Sequence, residues 1–525
     1  MLLDNHLGPT NHWLMKSMPA KCLQHEPAPF LREQKGRTCC RHVVVDRPHD
    51  QLRQVVVRLR LKTGALVAGL LALAFLPASA GELKKIGDSV VDPAALYFTK
   101  ASWGNCVNGQ TFQQDALASF REYQYAAYYD SARRLCVARR RAGESAWEVI
   151  RFADYHFKGN DTHNVAVLGI CPADGTIHLA FDHHGHPLHY RVSRPGVAQR
   201  PGEFKWIAEL FGPVTSQLEP GKDLLRVTYP RFLRTPAGGM QFGCRIGGSG
   251  NGDKCLADYD PVTRVWSGFG AYAAGQGRYG ESTSRNAYLN GLDYDRRGRL
   301  HVTWCWRETG NPMTNHDLDY AWSDDAGRTW FNDAGDKIGE RGKQPITIDS
   351  PGVRVVEIPT KRGLINATTQ ALDSHNRIHV VTFHLPDAAP GQANWEATRK
   401  QTHYFHYWRE GPGKWRRNEM DFNGSRPQLW FDAADNACLV FVGDRFNPSP
   451  YLSIAMATAG SRWQDWKVVH REPGPFTGQP RIDRYNEPGL LSVYIQEEPK
   501  EPKSTASALR VITFEARKQG GLDEG

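Results

Sequence analysis

A unit of about 50 to 80 residues recurs along the chain, and this repetition constrains the fold more than any other sequence feature. Each unit has an apolar strand, a turn and a second, often aromatic-rich strand, and in the first six units a polar turn and a tryptophan follow. The apolar strands lie near residues 126, 178, 241, 301, 379, 440 and 492, at spacings of 52, 63, 60, 78, 61 and 52 residues. Seven such units predict an all-β chain folded as a seven-bladed β-propeller, with one four-stranded blade per unit.

The boundaries of the propeller follow from the same pattern. The 50 glycines and 32 prolines suit many tight turns, and helical periodicity is nearly absent. Residues 81–120 precede the first unit, so we expect them to supply strands that close the ring against the last blade. We therefore predict that residues 81–525 form the propeller.

The first 80 residues are expected to lie outside that domain. Residues 58–80, RLRLKTGALVAGLLALAFLPASA, have a cationic start, an apolar centre and a final Ala-Ser-Ala typical of a cleavage site. The apolar run is shorter than the roughly 20 residues that a membrane span needs. We predict a signal peptide over 55–80, a secreted or periplasmic protein without a membrane span, and a disordered extension over 1–54 that reflects a misassigned start site.

The charge of the chain changes once that region is removed. The formal net charge is +9, but residues 1–80 hold 11 of the 65 basic and 5 of the 56 acidic side chains, which leaves about +3 for the rest. A balance this small gives no support for a nucleic acid partner.

Seven cysteines remain after residue 80, an odd number. Cys244 and Cys255 flank a Gly-rich loop, and they could form a disulfide in an oxidising compartment. A pair of buried free thiols is the alternative, and the sequence leaves both open.

One turn carries a more specific motif. The sequence SDDAGRTW matches S-x-D-x-G-x-T-W, the Asp-box of sialidase-type propellers, through Ser323, Asp325, Gly327, Thr329 and Trp330. We expect its polar side chains to bond their own hairpin and its tryptophan to pack between strands. The motif is structural, and the arginines and nucleophilic tyrosine of sialidases have no counterpart here.

Residues 163–190 hold six histidines. His163 begins a strand, and His183 and His184 follow the strand that pairs with it, so His163 and one of the other two are expected to approach each other at one rim. His178 has counterparts in His301 and His379 at the same place in later units, which indicates a packing role.

Two further segments resemble loops of a site. The first, residues 227–253, contains Tyr229, Arg231, Arg245 and a Gly-rich stretch with Ser249 and Asn251. The second, SRNAYLNG, contains the polar residues Arg285, Asn286, Tyr288 and Asn290.

Taken together, these segments resemble the BNR-repeat propellers of the ulvan lyase type. The resemblance covers nearly all of residues 81–525 and rests on NGQTFQQDAL, YAAYYDSARRLCVARR, HNVAVLGICPADGTIHLAFDHH, TYPRFLRTPAGG, RNAYLNGLDYDRRGRLHVTWCWRET and TNHDLDYAWSDDAGRTW. In that family two histidines about 20 residues apart, and a tyrosine and an arginine 16 apart, do the chemistry. His163 with His183, and Tyr229 with Arg245, match these spacings, while His184 leaves the second histidine ambiguous by one position.

The resemblance implies β-elimination at a uronic acid. Arg245 would stabilise the charge that develops on the uronate carboxylate, His163 would remove the C5 proton, Tyr229 would protonate the leaving oxygen, and His183 would assist. The residues expected to bind substrate are His184, Asn164, Ser249, Asn251, Arg285 and Asn286.

The predicted function is therefore a secreted polysaccharide lyase that cleaves rhamnose–uronic acid linkages of the ulvan type. The alternatives are an α-L-rhamnosidase or a rhamnose–glucuronate lyase on the same scaffold, or a non-catalytic carbohydrate-binding propeller. We expect an acidic polysaccharide containing rhamnose and uronic acid as partner, a monomer, no required cofactor and no catalytic metal, although the histidines and cysteines could hold a structural ion.

Overall fold

The computed structural model describes residues 83–100, 104–392 and 394–516, so the predicted signal peptide and upstream extension lie outside the described residues. The described chain forms seven small antiparallel sheets arranged as a seven-bladed β-propeller, which confirms the predicted fold. Helix is confined to α1, Trp395–Arg399, and three 3-10 turns, Pro201–Glu203, Ala208–Leu210 and Pro312–Thr314, among the described residues.

The strands are numbered in chain order, and each blade is a consecutive run of them. Strand β1 is Leu83–Leu96. Blade 1 consists of β2 Leu117–Phe120, β3 Tyr123–Tyr129, β4 Arg134–Arg141 and β5 Glu148–His156. Blade 2 consists of β6 Ala166–Ile170, β7 Ile177–Phe181 and β9 Tyr190–Val192; the short strand β8 His184–His186 lies between β7 and β9 in the sequence and pairs with blade 3. Blade 3 is β10 Val227–Arg234, β11 Met240–Gly248, β12 Asn251–Asp260 and β13 Val265–Ala273; blade 4 is β14 Asn286–Tyr294, β15 Leu300–Arg307, β16 Asn315–Ser323, β17 Thr329–Phe331, β18 Lys337–Glu340 and β19 Arg354–Val356. Blade 5 is β20 Thr369–Leu372, β21 Ile378–His384, β22 His403–Gly411 and β23 Lys414–Glu419; blade 6 is β24 Gln428–Phe431, β25 Ala437–Val442, β26 Tyr451–Ala457 and β27 Lys467–Pro473; blade 7 is β28 Phe476–Ile482, β29 Leu490–Glu497 and β30 Ala506–Ala516.

The ring closes through the N-terminal strand. Strand β1 pairs antiparallel with β30, from Leu83 opposite Ala516 to Leu96 opposite Ala506, and so becomes the fourth strand of blade 7. Closure of this kind covers a sheet edge that would otherwise be exposed.

The strands recognised in the sequence are the second strands of the blades rather than the first. An inner strand precedes each of them, as short as four residues in β20 and β24 and as long as nine in β14. The turn between the two is held by an aspartate in blades 4, 5 and 6: Asp295, Asp373 and Asp432 each accept the N–H groups of the second and fourth following residues. These turns are local hydrogen-bonded structures of short polar side chains.

In blades 2 to 6, the tryptophan near the end of the repeat links its blade to the preceding blade. Trp206 of blade 2 donates its indole N–H to Val137 of blade 1, and Trp266 of blade 3 donates to the Tyr190 hydroxyl of blade 2. The same link recurs as ring packing of Trp330 on Tyr272, Trp415 on Tyr320 and Trp463 on His379. The core therefore lies between neighbouring blades, where large aromatic side chains bury the most apolar area.

The structure confirms the packing role predicted for the repeated histidines. His178, His301 and His379 are almost fully buried. Their Nδ1 atoms lie 2.6 to 2.9 Å from Tyr190 Oη, Tyr320 Oη and His406 Nε2 on the next strand of the blade.

The Asp-box also has the expected local geometry. Ser323 donates to Asp325, whose Oδ1 accepts the Thr329 N–H at 2.7 Å, and the buried Trp330 indole donates to the Gly327 carbonyl. Cys244 and Cys255 face each other across β11 and β12 as buried free thiols, which is the second of the two alternatives left open by the sequence.

Candidate functional site

The candidate site lies at one rim of the propeller, where the inner strands begin and the second strands end. His163 precedes β6, His184 follows β7, Tyr229 and Tyr288 lie near the starts of β10 and β14, and Arg307 ends β15. Because paired strands are antiparallel, these positions meet at the same edge of the sheets.

Two histidines at this rim share one carboxylate. His163 Nδ1 lies 2.5 Å from Asp161 Oδ1, and His184 Nδ1 lies 2.7 Å from Asp161 Oδ2. The two imidazole rings stack with centroids 4.4 Å apart. A carboxylate that accepts from both Nδ1–H groups fixes the tautomer, so Nε2 of each neutral ring is the atom able to accept a proton.

The protonation states of this group follow from its surroundings. Burial opposes ionisation of Asp161, but the hydrogen bonds from His163 and His184 hold the pKa of Asp161 well below its usual range. Burial, reinforced by the neighbouring His184, lowers the pKa of His163 despite the opposing effect of Asp161. Near neutral pH the pair therefore consists of a charged carboxylate and an uncharged His163 ring.

His183 is not part of this group. Its side chain is fully buried, its Nε2 accepts the backbone N–H of His189 at 2.7 Å, and its Nδ1 is buried without a hydrogen-bond partner. The chain explains the difference: after β7 it turns at Asp182, which has φ 62°, so His183 points into the blade and His184 enters the rim. The position expected of His183 is occupied by His184.

Strand β8 carries His184 to the next blade. His184 and His186 pair with Thr228 and Val227 at the start of β10, and the Thr228 hydroxyl accepts the Gly185 N–H. This pairing brings the His184 ring within 6.1 Å of the Tyr229 ring, centroid to centroid.

Tyr229 projects into the site from an irregular backbone. Its φ is 54°, and the pairing of β10 with β11 shifts register between Thr228 and Arg231. Bulges of this kind re-aim a side chain, and a positive φ in a tyrosine is uncommon outside constrained positions. The ring stacks on Phe112 at 4.3 Å and is 9% exposed, which fixes its orientation.

Four basic side chains surround the two tyrosines. The Arg245 guanidinium lies 4.9 Å and the Lys254 amine 5.6 Å from the Tyr229 ring centroid, and Arg307 lies 5.4 Å from that of Tyr288. Arg426, the fourth, lies 5.5 Å from the Phe112 ring that supports Tyr229. Within the part of the chain that the structure describes, none of the four forms a salt bridge with a carboxylate. Arg245 and Lys254 are buried and Arg307 and Arg426 are half-buried, and basic groups withdrawn from water without a carboxylate partner favour the binding of an anion.

The two tyrosines have opposite pKa shifts. Burial raises the pKa of Tyr229 well above its usual value, helped by Tyr288 and opposed by Arg245. Burial also acts on Tyr288, but Arg307, Arg245 and a hydrogen bond with Ser249 outweigh it and lower the pKa of Tyr288. Neighbouring titratable groups whose pKa values are shifted in opposite directions are typical of acid–base sites.

The residues predicted to bind substrate divide into two groups. His184 and Ser249 lie in the site, and Ser249 Oγ is 3.0 Å from the Tyr288 hydroxyl. Asn164 and Asn286 are buried and bond to the protein: Asn164 donates to the Asp182 carboxylate, and the Asn286 side-chain oxygen accepts the Gly250 N–H. Asn251 is exposed at the start of β12, opposite Gly248.

Arg285 is also unavailable to a ligand. Its guanidinium is fully buried and forms two hydrogen bonds, of 2.8 and 3.0 Å, with the carboxylate of Glu308. Glu308 in turn contacts His316, whose pKa is raised to about 9: burial opposes the protonated form, but the hydrogen bonds with Asp317 and Glu308 outweigh it. In this geometry the Arg285 guanidinium is occupied by Glu308, which argues against the substrate-binding role predicted for Arg285.

Among the described residues, two groups of side chains have the donor atoms for a metal ion. Asp161, His163 and His184 place their donor atoms within 4.8 Å of one another, as do Asp373 and His375 of the β20–β21 turn with Asp435 of the β24–β25 turn. In the first group the carboxylate is already shared by both imidazoles, and in the second Asp373 also contacts Arg377. The expectation that no cofactor is required stays a prediction.

Several residues of the site were not singled out in the sequence. Asp161 stands two positions before His163, a spacing that suits a local hydrogen bond, and could have been found from that proximity. Lys254, Arg307, Arg426 and Phe112 come from four different blades or connections, so no local signal joins them to the histidines.

With fold and site described, the chain can be placed among known proteins. Residues 123–422 match the family described as BNR repeat-containing family member. This match covers more than half of the chain, so the protein belongs to that repeat family.

Individual relatives are more distant. The chain is 25% identical over 269 residues to an ulvan lyase, long isoform, of Alteromonas sp., and 26% identical over 286 residues to the long isoform of Glaciecola sp. (strain KUL10). The matches cover 43% and 46% of this chain but only 26% and 28% of those proteins. A short isoform from Alteromonas sp. (strain LOR) is 24% identical, with 51% of its length matched.

Solved structures agree in fold. The polysaccharide lyase Uly1 superposes with a TM-score of 0.66 at 18% identity, over 83% of this chain and all of that one. A PL25 ulvan lyase bound to -[GlcA(1-4)Rha3S]- gives 0.56 at 13% identity, over 81% of this chain and 94% of the other. In the described residues, no helix has the length and apolar character required to cross a membrane.

Proposed function

We propose that this protein is a secreted or periplasmic polysaccharide lyase that cleaves rhamnose–uronic acid linkages by β-elimination. The observation that carries the proposal is the buried Arg245 guanidinium, which forms no salt bridge among the described residues and lies beside two tyrosines with opposite pKa shifts and a carboxylate-bridged histidine pair. An acidic sugar would supply the missing anion. The named relatives support the same substrate class.

Arg245 is proposed to bind the uronate carboxylate. Its side chain is 1% exposed, its Nε is buried without a hydrogen-bond partner among the described residues, and its guanidinium makes a long contact, 3.4 Å, with the Tyr288 hydroxyl. A guanidinium held in this way is a preorganised donor, and it favours the enediolate-like charge that develops as the C5 proton leaves.

The proton transfers are assigned to groups with matching protonation states. Neutral His163 accepts the C5 proton at Nε2, and the carboxylate of Asp161 stabilises the imidazolium that forms. The C4–O4 bond breaks as the C4–C5 double bond forms, and Tyr229, whose raised pKa keeps it protonated, donates to the departing O4. His184 takes the assisting role first given to His183.

Product analysis tests this proposal. The secreted form would be incubated with ulvan, gum arabic and neutral polysaccharides, and products examined by mass spectrometry and far-ultraviolet absorbance. We expect a 4,5-unsaturated uronate at the new non-reducing end from an acidic, rhamnose-containing polymer. Free rhamnose without unsaturated product would indicate the rhamnosidase alternative, and binding without any cleavage would indicate a carbohydrate-binding propeller.

A further inference from the structure

Lys254 is a buried lysine that the proposed chemistry does not yet use. It lies on β12 directly opposite Arg245 on β11, so the two side chains share one face of blade 3. Lys254 is 4% exposed, and its amine and the Arg245 guanidinium lie 5.6 Å and 4.9 Å from the centroid of the Tyr229 ring. Cys244 and Cys255, the next pair in the register, therefore project from the opposite face.

The surroundings of Lys254 are unfavourable to a positive charge. Burial comes first, and the guanidinium groups of Arg245 and Arg231 add to it; together they lower the pKa of Lys254 well below its usual range. The remaining titratable neighbours are the thiols of Cys244 and Cys255, whose own pKa values are raised mainly by burial, and the protonated phenol of Tyr229. Among the described residues, no carboxylate forms a salt bridge with its amine.

We propose that Lys254 is an uncharged amine in the free protein and takes up one proton when a uronate carboxylate binds beside Arg245. The proton comes from solvent and adds to the Nζ lone pair, and no other bond changes. The incoming carboxylate supplies the negative charge that the ammonium form lacks in the free site. The inference rests on the proposed function only for the identity of the anion.

This assignment makes Lys254 a positioning residue for the carboxylate and gives it a distinctive effect on stability. If Lys254 stabilised the fold, its replacement would lower the free energy of unfolding. A buried amine kept for ligand binding does not contribute to the fold, so the apolar substitution Lys254→Met is expected to leave the urea midpoint unchanged or raise it. Lys414→Met is the matched control, because Lys414 is exposed on the outer strand β23 of blade 5.

Isothermal titration calorimetry tests proton uptake directly. The ligand is the disaccharide GlcA(1-4)Rha3S, which carries no sugar on O4 of its uronate and therefore cannot be eliminated. Heats measured at one pH in phosphate and Tris differ in proportion to the number of protons taken up. We expect about one proton for the unsubstituted protein and Lys414→Met, and none for Lys254→Met, with binding weakened about 10- to 100-fold. The carboxyl-reduced disaccharide is expected to bind without proton uptake.

The outcomes separate this inference from the proposed reaction. Binding without proton uptake in the unsubstituted protein, or uptake that persists in Lys254→Met, overturns the role of Lys254 even if unsaturated product forms. A large loss of stability in Lys254→Met also overturns it. Proton uptake that disappears in Lys254→Met supports the inference even if polysaccharide incubation yields no unsaturated product, in which case the lyase proposal fails alone.

Discussion

At the residue scale, the arrangement of His163, Asp161 and His184 is the feature that gives the site a base. One carboxylate orients two stacked imidazoles, so each Nε2 faces away from Asp161. Only one of the adjacent residues His183 and His184 can enter the site, because neighbouring residues of an extended chain project to opposite sides.

That choice gives a test with two matched variants. We expect His184→Ala to lower kcat by about 10²-fold with little change in stability, because His184 is at the rim and acts in proton handling. His183→Ala is expected to lower the free energy of unfolding by about 2–4 kcal/mol, because it leaves a cavity and removes the acceptor of the His189 N–H. Initial rates and urea unfolding are measured for both variants. A loss of kcat in His183→Ala together with a loss of stability in His184→Ala would place His183, rather than His184, in the site.

Asp161 supplies a second test at the same scale. Asp161→Asn keeps the shape but removes the charge that orients both histidines and opposes the lowered pKa of His163. We expect kcat to fall by about 10²-fold or more. The acid limb of the kcat/KM profile should move to lower pH, because the carboxylate no longer favours the protonated ring. An unchanged pH profile would separate Asp161 from the base.

Sequence reasoning found part of the site and missed the rest for identifiable reasons. Tyr229 and Arg245 belong to paired strands, and the resemblance to a known family located them. Arg285 was predicted to bind substrate because it lies in a polar segment. Its ion-pair partner Glu308 is 23 residues away in the sequence, so the pairing could not be recognised locally. Lys254 and Arg426 join the site only through tertiary contacts.

At the element scale, turns and tryptophans define the blade. Some inner strands, such as β20 and β24, have only four residues and are too brief to show an alternating pattern, while the longer β10 and β14 were interpreted as loops because of their polar residues. They went unrecognised, although the aspartate turns that follow them recur in LDYDRRGR, ALDSHNR and FDAADN. The tryptophan shared by the first six units was a better guide, because a large ring at this place packs on the preceding blade.

The Asp-box is a hairpin device, so its loss should affect stability alone. Asp325 accepts the N–H groups of Arg328 and Thr329 and the Ser323 hydroxyl. We expect Asp325→Ala to lower the free energy of unfolding by about 1–2 kcal/mol and to leave kcat unchanged. Urea unfolding and initial rates provide the check. A fall in kcat without a fall in stability would show that this hairpin influences the rim.

At the scale of the whole molecule, buried neutral histidines should set the acid limit of stability. Seven described histidines have a lowered pKa for which burial is the largest cause: His163, His178, His183, His301, His379, His384 and His406. The pKa of His178 falls to about 3 and that of His384 to about 4. In the unfolded chain these rings bind protons near pH 6.5, so the unfolded state gains protons first as the pH falls.

The direction in which stability changes with pH follows from this difference in proton binding. Stability is expected to decline as the pH drops below about 6.5, before most carboxylates titrate, by up to about 1.4 kcal/mol per pH unit for each ring that stays neutral in the fold. Urea midpoints at about pH 7, 6, 5 and 4.5 measure it. Stability that stays constant down to about pH 4.5 would mean that these histidines accept protons within the fold.

The central claim is that Arg245 holds the carboxylate of a uronic acid during β-elimination. The most direct measurement is the initial rate of unsaturated uronate formation from ulvan by the unsubstituted protein and by Arg245→Ala, with circular dichroism to verify folding and the exposed Arg416→Ala as control. We predict unsaturated product from the unsubstituted protein and from Arg416→Ala, and a fall of about 10²- to 10³-fold in kcat for Arg245→Ala. Full activity in a folded Arg245→Ala variant would contradict the account.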